Sequence, residues 1–574
     1  MKHRILTLLL IIVTYLGSVN AQTSGNCGNN LSWSFQNNSL NITGVGAMYD
    51  YASEEEVPWY TLREDISHIN LNIYGSNPSF RIGSRAFCGC SNITSISLPN
   101  ATKAIGDSAF AGCTIIDSLV IPNTVEYIGQ AAFSGCSNLQ IIHLPSTLMG
   151  LPNELFFNCC RLSSIVIPHD VSVIGVRAFA NCNNLHSVNL PANLMNIYPY
   201  AFLDCSHLKQ LYIPQNVCSI GLDAFSGCGR LTSIVVAKEN QYYDSRDSCN
   251  AIINKTELSL VRGCVNTTIP YGVTHIGSNA FSGCEDLSSI DIPGSVTHID
   301  YAAFDGCVNL SSVNIPNSVT NIGWFAFRGC RSLTSIFIPE SVVEIGDYFL
   351  LNCESLNSIS VSDLNTKYHS RNNCNAIVEV DKKTLIAGCK NSTIPNDVET
   401  IGAYAFSECH DLVEIIIPDG VKTIKRGAFE NCYSLLTIDM GKNMNIIEGL
   451  AFKGCNLLDT ITCYALTPPS VVIDANDSSF SANLSPDMVV RVPTASVSLY
   501  SQHEFWGNFD VRDMNESSDI KIIDSKELTI ELLNSPNTHL YTLQGCEVKS
   551  TNSLIPRGVY VIKNGNQVVT IYVQ

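Results

Sequence analysis

The chain of 574 residues is 45% hydrophobic and only 15% charged, enough apolar material for a large buried core and too much for a disordered chain. Its 33 Lys and Arg against 51 Asp and Glu give a net charge of −18, and no basic run is present to neutralise phosphates. Nucleic acid and anionic lipid are thereby excluded as expected partners. The first 21 residues read Lys2-His3-Arg4, an apolar run from Ile5 to Leu16, then Gly17-Ser18-Val19-Asn20-Ala21. A basic start, an apolar stretch too short for a comfortable span and small residues at −3 and −1 predict a signal peptide over 1–21, cleaved before Gln22. No other segment reads as a transmembrane candidate, so no membrane span is expected after cleavage.

From residue 82 to 463 the chain repeats itself. One cysteine per unit falls at 90, 113, 136, 159, 182, 205 and 228, then 284, 307, 330 and 353, then 409, 432 and 455. Every step inside a group is 23, and both steps between groups are 56, which is one period plus an insertion of 33. So strict a period predicts a solenoid with one coil per unit, roughly 18 coils advancing about 4.8 Å each. After each Cys a segment such as Ser335-Ile336-Phe337-Ile338 alternates with the period of a strand buried on one face, so stacked coils make a parallel sheet. Pro339 ends that strand, Gly346 suits a tight bend and Phe327 fills the interior. The expected fold class is therefore a β-rich solenoid with a parallel sheet on one face, followed by a small C-terminal all-β domain.

The cysteine column has 14 members in identical surroundings, and nothing selects a pairing among them. A small buried residue with a weak S–H donor turned toward a loop carbonyl accounts for every member. Zinc spacing is missing, so no metal and no cofactor is expected. Off the column, Cys249 and Cys264, and Cys374 and Cys389, lie 15 apart around two apolar stretches with a polar turn, which predicts a hairpin in each insertion, near 237–264 and 362–389. Each pair is either a disulfide at the hairpin base or two more buried free thiols.

On the predicted sheet, the residue between two buried strand positions points outward. Val120, His143, Val166, Tyr212, Val235, Phe337 and Ile416 are the candidate ligand-binding positions in that row. Exposed apolar side chains on adjacent strands make a patch, and patches mark interaction sites. A neighbouring row that includes Ser118, Ser164, Ser187 and Ser335 leaves room for a partner.

The unit Ile-Pro-x-Ser-Val-x-x-Ile-Gly-x-x-Ala-Phe-x-x-Cys-x-x-Leu-x-x-Ile resembles the BspA-type class of bacterial leucine-rich repeats, from about Ile82 to about Ile461. The two Cys-Asn-Ala-Ile inserts look like those common in that family. The stretch Cys27-Gly28-Asn29-Asn30-Leu31-Ser32-Trp33 is similar to the segment that often precedes such repeats, which implies an N-terminal cap over 22–81. Residues 464–515, with "VVRVPTASVSLYSQHEFWGNF", resemble the family's terminal repeat. Residues 520–574, with "LYTLQGCEVKS" and "GVYVIKNGNQ", resemble the C-terminal sorting domain of type IX secretion cargo, although Cys546 is not part of that pattern; an ordinary small β-sandwich is the alternative. The resemblance implies a protein secreted by, or held on the surface of, a Gram-negative bacterium, with the outer-membrane secretion machinery as one partner.

Catalytic signatures are missing: no H-E-x-x-H, G-x-S-x-G or phosphate loop occurs, and the 12 histidines are scattered. Asp474-Ala475-Asn476-Asp477 lacks the Gly and distal Glu of a calcium loop. The expected function is non-covalent binding without catalysis. By resemblance it is adhesion to host matrix, other cells or surface polymers, the partner being a protein or polysaccharide on host or neighbouring cells. A structural spacer in a surface layer or nutrient-capture complex is the alternative, and a glycan- or peptide-processing enzyme a third class.

Overall fold

In a computed structural model of the chain the described residues are 23–75, 79–472 and 488–515, followed by the strands Lys521–Ile523, Thr538–Thr542, Gly558–Asn564 and Gln567–Val573. The signal-peptide segment 1–21, Asp474 to Asp477 and Cys546 lie outside them. The chain is a β-solenoid of about 19 coils with mostly parallel strands, and it divides into two compact units, Met1–Phe327 and Arg328–Gln574.

In the first unit, each 23-residue repeat forms one coil. Its first short strand pairs in parallel with the next coil's, as Ser118–Val120 pairs with Ile141–His143 in the register Leu119↔Ile142. The central residues Leu119, Ile142, Ile165, Leu211 and Ile234 are buried, and their neighbours on either side face out. A second column of two-residue strands, Gly150–Leu151, Val173–Ile174, Asn196–Ile197 and Ser219–Ile220, is parallel as well. Between the columns runs a turn whose amides bond to the next coil: Arg85, Phe87 and Gly89 N–H donate to Asp107, Ala109 and Ala111 carbonyls at 2.7 to 2.8 Å. The phenylalanines of these turns stack from Phe87 through Phe225, with ring centroids 5.0 to 5.9 Å apart.

The cysteine column lies beside this stack. Cys113, Cys136, Cys159, Cys182, Cys205 and Cys228 each donate S–H to the carbonyl of the phenylalanine 26 residues earlier, at 3.1 to 3.2 Å. Each thiol thereby becomes a second donor to a carbonyl that already accepts the N–H of the cysteine three residues on, so both of its lone pairs are used inside the coil.

The glycine of the Ile-Gly pair serves a purpose other than the bend expected of it. Where the left-handed region is needed, two positions later, the chain places ordinary residues such as Arg85, Ser108 and Ala131. The glycine is required by close approach: a Cβ on Gly106 would stand 2.5 Å from the Ser84 nitrogen, and one on Gly129 2.5 Å from that of Asp107.

The amino-terminal end begins as an antiparallel meander, Ser24–Gly28, Leu31–Gln36 and Ser39–Gly44, whose last strand pairs in parallel with His68–Ile73. Trp59 starts the aromatic column, stacked 6.0 Å from Phe87, and its indole donates to the Ala86 carbonyl at 2.9 Å.

The first insertion follows Ser233–Val236. Tyr243–Asp244, Ile252–Asn254 and Ser259–Arg262 are antiparallel, and the last then pairs in parallel with His275–Ile276, returning the chain to the second strand column. Asn240, fully buried, holds the entry: its amide donates to Pro214 and Val217 carbonyls at 2.8 and 2.9 Å, and its oxygen accepts from Tyr242 and Tyr243 N–H at 2.9 and 2.8 Å. Cys249 and Cys264 are buried free thiols, as are Cys374 and Cys389.

The second unit repeats this plan. Asn365 repeats Asn240, donating to Pro339 and Val342 carbonyls at 2.8 and 2.9 Å. Cys432 and Cys455 donate to Phe406 and Phe429 carbonyls, both at 3.1 Å. Its first-column strands run Glu414–Ile417, Thr437–Met440, Thr460–Cys463, Val489–Val492 and Asp510–Asp513, all parallel. The buried Tyr500 and Trp506 cover their end, the Trp506 indole donating to the Pro469 carbonyl at 2.9 Å. The four strands from Lys521 onward form a separate small sheet, mostly antiparallel.

Candidate binding surface

Strand alternation decides what the first-column sheet offers to solvent. In the first unit Val120, His143, Val166, Tyr212 and Val235 are all exposed, and Val166 is 77% accessible. Register places Val120 beside His143, Val166 beside Asn189, and Tyr212 beside Val235. The apolar members therefore fall into short groups rather than one stripe. Ile141, exposed one row over, enlarges the group at Val120 and His143; it interrupts the serine row, and that irregularity was the only sign of it in the sequence.

Tyr212 and Val235 occupy the best-built part of this face. Tyr212 is 53% accessible and Val235 47%, on the strands Gln210–Ile213 and Ser233–Val236. The sheet stops there because the insertion begins. Asn250 takes the place of the next strand, accepting from Ile234 N–H at 2.6 Å and donating to the Thr232 carbonyl at 2.9 Å, while Ser245 Oγ accepts from Val236 N–H at 3.0 Å. An edge closed by side chains cannot recruit a foreign strand, so a partner meets the side-chain face and not the backbone.

In the second unit Phe337 is 47% accessible and pairs with Ser360, and the exposed Ile416 continues through Asp439 and Thr462 to Arg491. Exposed aromatics also occur off this face: Tyr301 and Trp324 stand at the start of successive turns in the first unit, a pair that strand periodicity alone does not single out. Among the described residues, no group of three or more His, Cys, Asp and Glu is placed to hold a metal ion, and no helix is long and apolar enough to cross a membrane.

The family described as BspA type Leucine rich repeat region matches residues 64–186, 150–261, 251–377 and 386–488. The chain belongs to the BspA-type leucine-rich repeat family. Several solved leucine-rich proteins are similar to it. A leucine rich cell surface protein of Faecalibacterium prausnitzii is 23% identical, with a TM-score of 0.42, over 78% of this chain and 96% of that one. Leucine-rich repeat proteins of Eubacterium ventriosum and Bacteroides ovatus are each 21% identical, with TM-scores of 0.35 and 0.31. The first covers 81% of this chain and 97% of its own, the second 84% and 98%. Among the curated proteins no relative matches.

Proposed function

We propose that this BspA-type repeat protein is displayed at a bacterial cell surface and binds, without catalysis, a protein or polysaccharide of a host or neighbouring cell. The observation that carries the reading is the pair Tyr212 and Val235: two large side chains about half accessible, side by side in register, on a rigid sheet whose edge is closed. Aromatic anchors surrounded by smaller polar residues are the usual source of binding energy on an extended surface. The serine row beside them lets a partner approach closely. Residues 1–21 and 520–574 complete the proposal as export signals, the second for type IX passage across the outer membrane of a Gram-negative cell.

Capture is the test. Full-length protein is passed over immobilised collagen, fibronectin, laminin, mucin and bacterial surface polysaccharides. Saturable retention on at least one is expected, and retention on none favours the spacer reading. For export, a chain ending at Ser518 is expected to fold and to stay in the periplasm; its appearance at the surface would remove the sorting role from 520–574.

A further inference from the structure

Where the first insertion enters, the coil stack opens. Arg85, Ser108, Ala131 and their successors each donate N–H to the carbonyl 22 residues on. At the insertion the strand end Arg262-Gly263 takes this role: Gly263 N–H donates to the Ala280 carbonyl at 2.9 Å, and Arg262 donates to the Asn279 and Ser282 carbonyls at 3.1 Å and to that of Cys228 at 2.9 Å. Gly263 must be glycine here, since a Cβ would meet the Phe281 ring at 2.3 Å. The result is a cleft of about 450 Å³.

The second insertion repeats this arrangement 125 residues later with different side chains. Gly388 N–H again donates to a turn carbonyl, Ala405, at 2.8 Å. Asp223 and Asn279, bridged at 2.7 Å in the first insertion, are there replaced by Tyr348 and Tyr404, whose rings meet edge to face at 5.1 Å. Ala387 stands where Arg262 stood, and a small cavity of about 20 Å³ lies beside it, against Cys353 and Cys409. The polar lining of the first cleft is therefore a property of its own residues and not of the insertion.

We propose that this cleft binds a saccharide unit of one or two rings. Its volume is in the range of small-ligand sites, and its lining alternates acceptors with donors. Asp223, Glu257 and Asp300 supply carboxylates. Asn254 spends its oxygen on Thr256 and Glu257 N–H, which leaves its amide hydrogens; Tyr243 accepts from Ile220 N–H at 2.9 Å, which leaves its hydroxyl proton; Ser259 and Ser278 can do either. Arg262, 1% accessible, lines the same cleft with its Nε unpartnered. A sugar hydroxyl both gives and takes a hydrogen bond, so it uses both kinds of group. An ammonium group would use only the acceptors, and an anion would face three carboxylates. Burial pushes the Asp223 and Asp300 carboxyls above the usual range, as expected of acceptors kept from water.

The full chain tests the proposal by saturation-transfer NMR with the methyl glycosides of glucose, galactose, mannose, fucose, N-acetylglucosamine and N-acetylgalactosamine, and with N-acetyl-lysine methylamide as the amine probe. At least one glycoside is expected to receive saturation. The exposed Glu257→Gln should weaken it about tenfold or more. The pair Asp223→Tyr with Asn279→Tyr, which places the tyrosine pair of the second insertion in this cleft, should abolish it. Saturation of the lysine probe alone, of no probe, or of a glycoside unchanged in both variants overturns the proposal.

Discussion

A buried thiol that donates to a phenylalanine carbonyl is held both by packing and by its proton. Burial pushes Cys90 and Cys136 up to about 12, so at neutral pH neither supplies the thiolate that alkylation and disulfide exchange require. Labelling of native protein should modify the exposed Cys160 first and leave Cys113, Cys136 and Cys307 unmodified until the chain unfolds; rapid modification of most column members would contradict the packing role. A different residue carries acid sensitivity. Asp50 binds the Arg81 guanidinium through both oxygens at 2.8 Å and accepts from Ser84 N–H at 2.7 Å, and these bonds, Arg81 foremost, hold its carboxyl down from 3.8 to about 2. A depressed carboxyl stabilises the fold above its unfolded value and loses that contribution as pH falls through its folded one. The pair is more than a third accessible, so its contribution is about 1 kcal/mol or less. Asp50→Asn should therefore lower Tm at pH 6 and lower it progressively less as pH falls toward 2, and an equal effect at both would assign the loss to something other than charge.

The insertions show how an element is anchored into a repeat without interrupting it. Asn240 and Asn365 make four hydrogen bonds each in full burial, tying the entry of the insert to the preceding coil. Asn240→Leu leaves two carbonyls and two amides to find other partners, a cost of roughly 2–4 kcal/mol. Hydrogen exchange should show the loss locally, in 240–264 and the coil before it, because repeat stability is a sum over neighbours; uniform loss over the unit would mean the insert is not a separate cooperative element. These asparagines were not legible in the sequence. A lone Asn in a polar stretch reads as loop, and its role appears only when the carbonyls of Pro214 and Val217 are brought over it. The role of the Ile-Gly glycine was hidden for a similar reason: sequence marks a glycine, but close approach to the preceding coil is a contact between residues 22 positions apart.

Across the whole molecule, period and phase were the legible part. Twenty-three-residue spacing gave the coil, and alternation about Leu211 and Ile234 placed Tyr212 and Val235 on the outside, where they are. The cleft at the first insertion was not legible, since Asp223, Glu257, Asn279 and Asp300 converge only because a strand enters the stack and separates two turns. Family membership fixes the framework and leaves its surfaces open, so the functional claim rests on side chains that the framework does not need. The most direct measurement is therefore the affinity of Tyr212→Ser combined with Val235→Ser for whichever matrix protein or polysaccharide the wild-type chain captures, with circular dichroism and Tm recorded on the same sample. Retained fold with affinity reduced at least tenfold is the predicted result, in line with removal of a central aromatic anchor. Unchanged affinity in a folded variant would contradict the account and place the binding energy elsewhere, and loss of fold would contradict the outward orientation of both side chains.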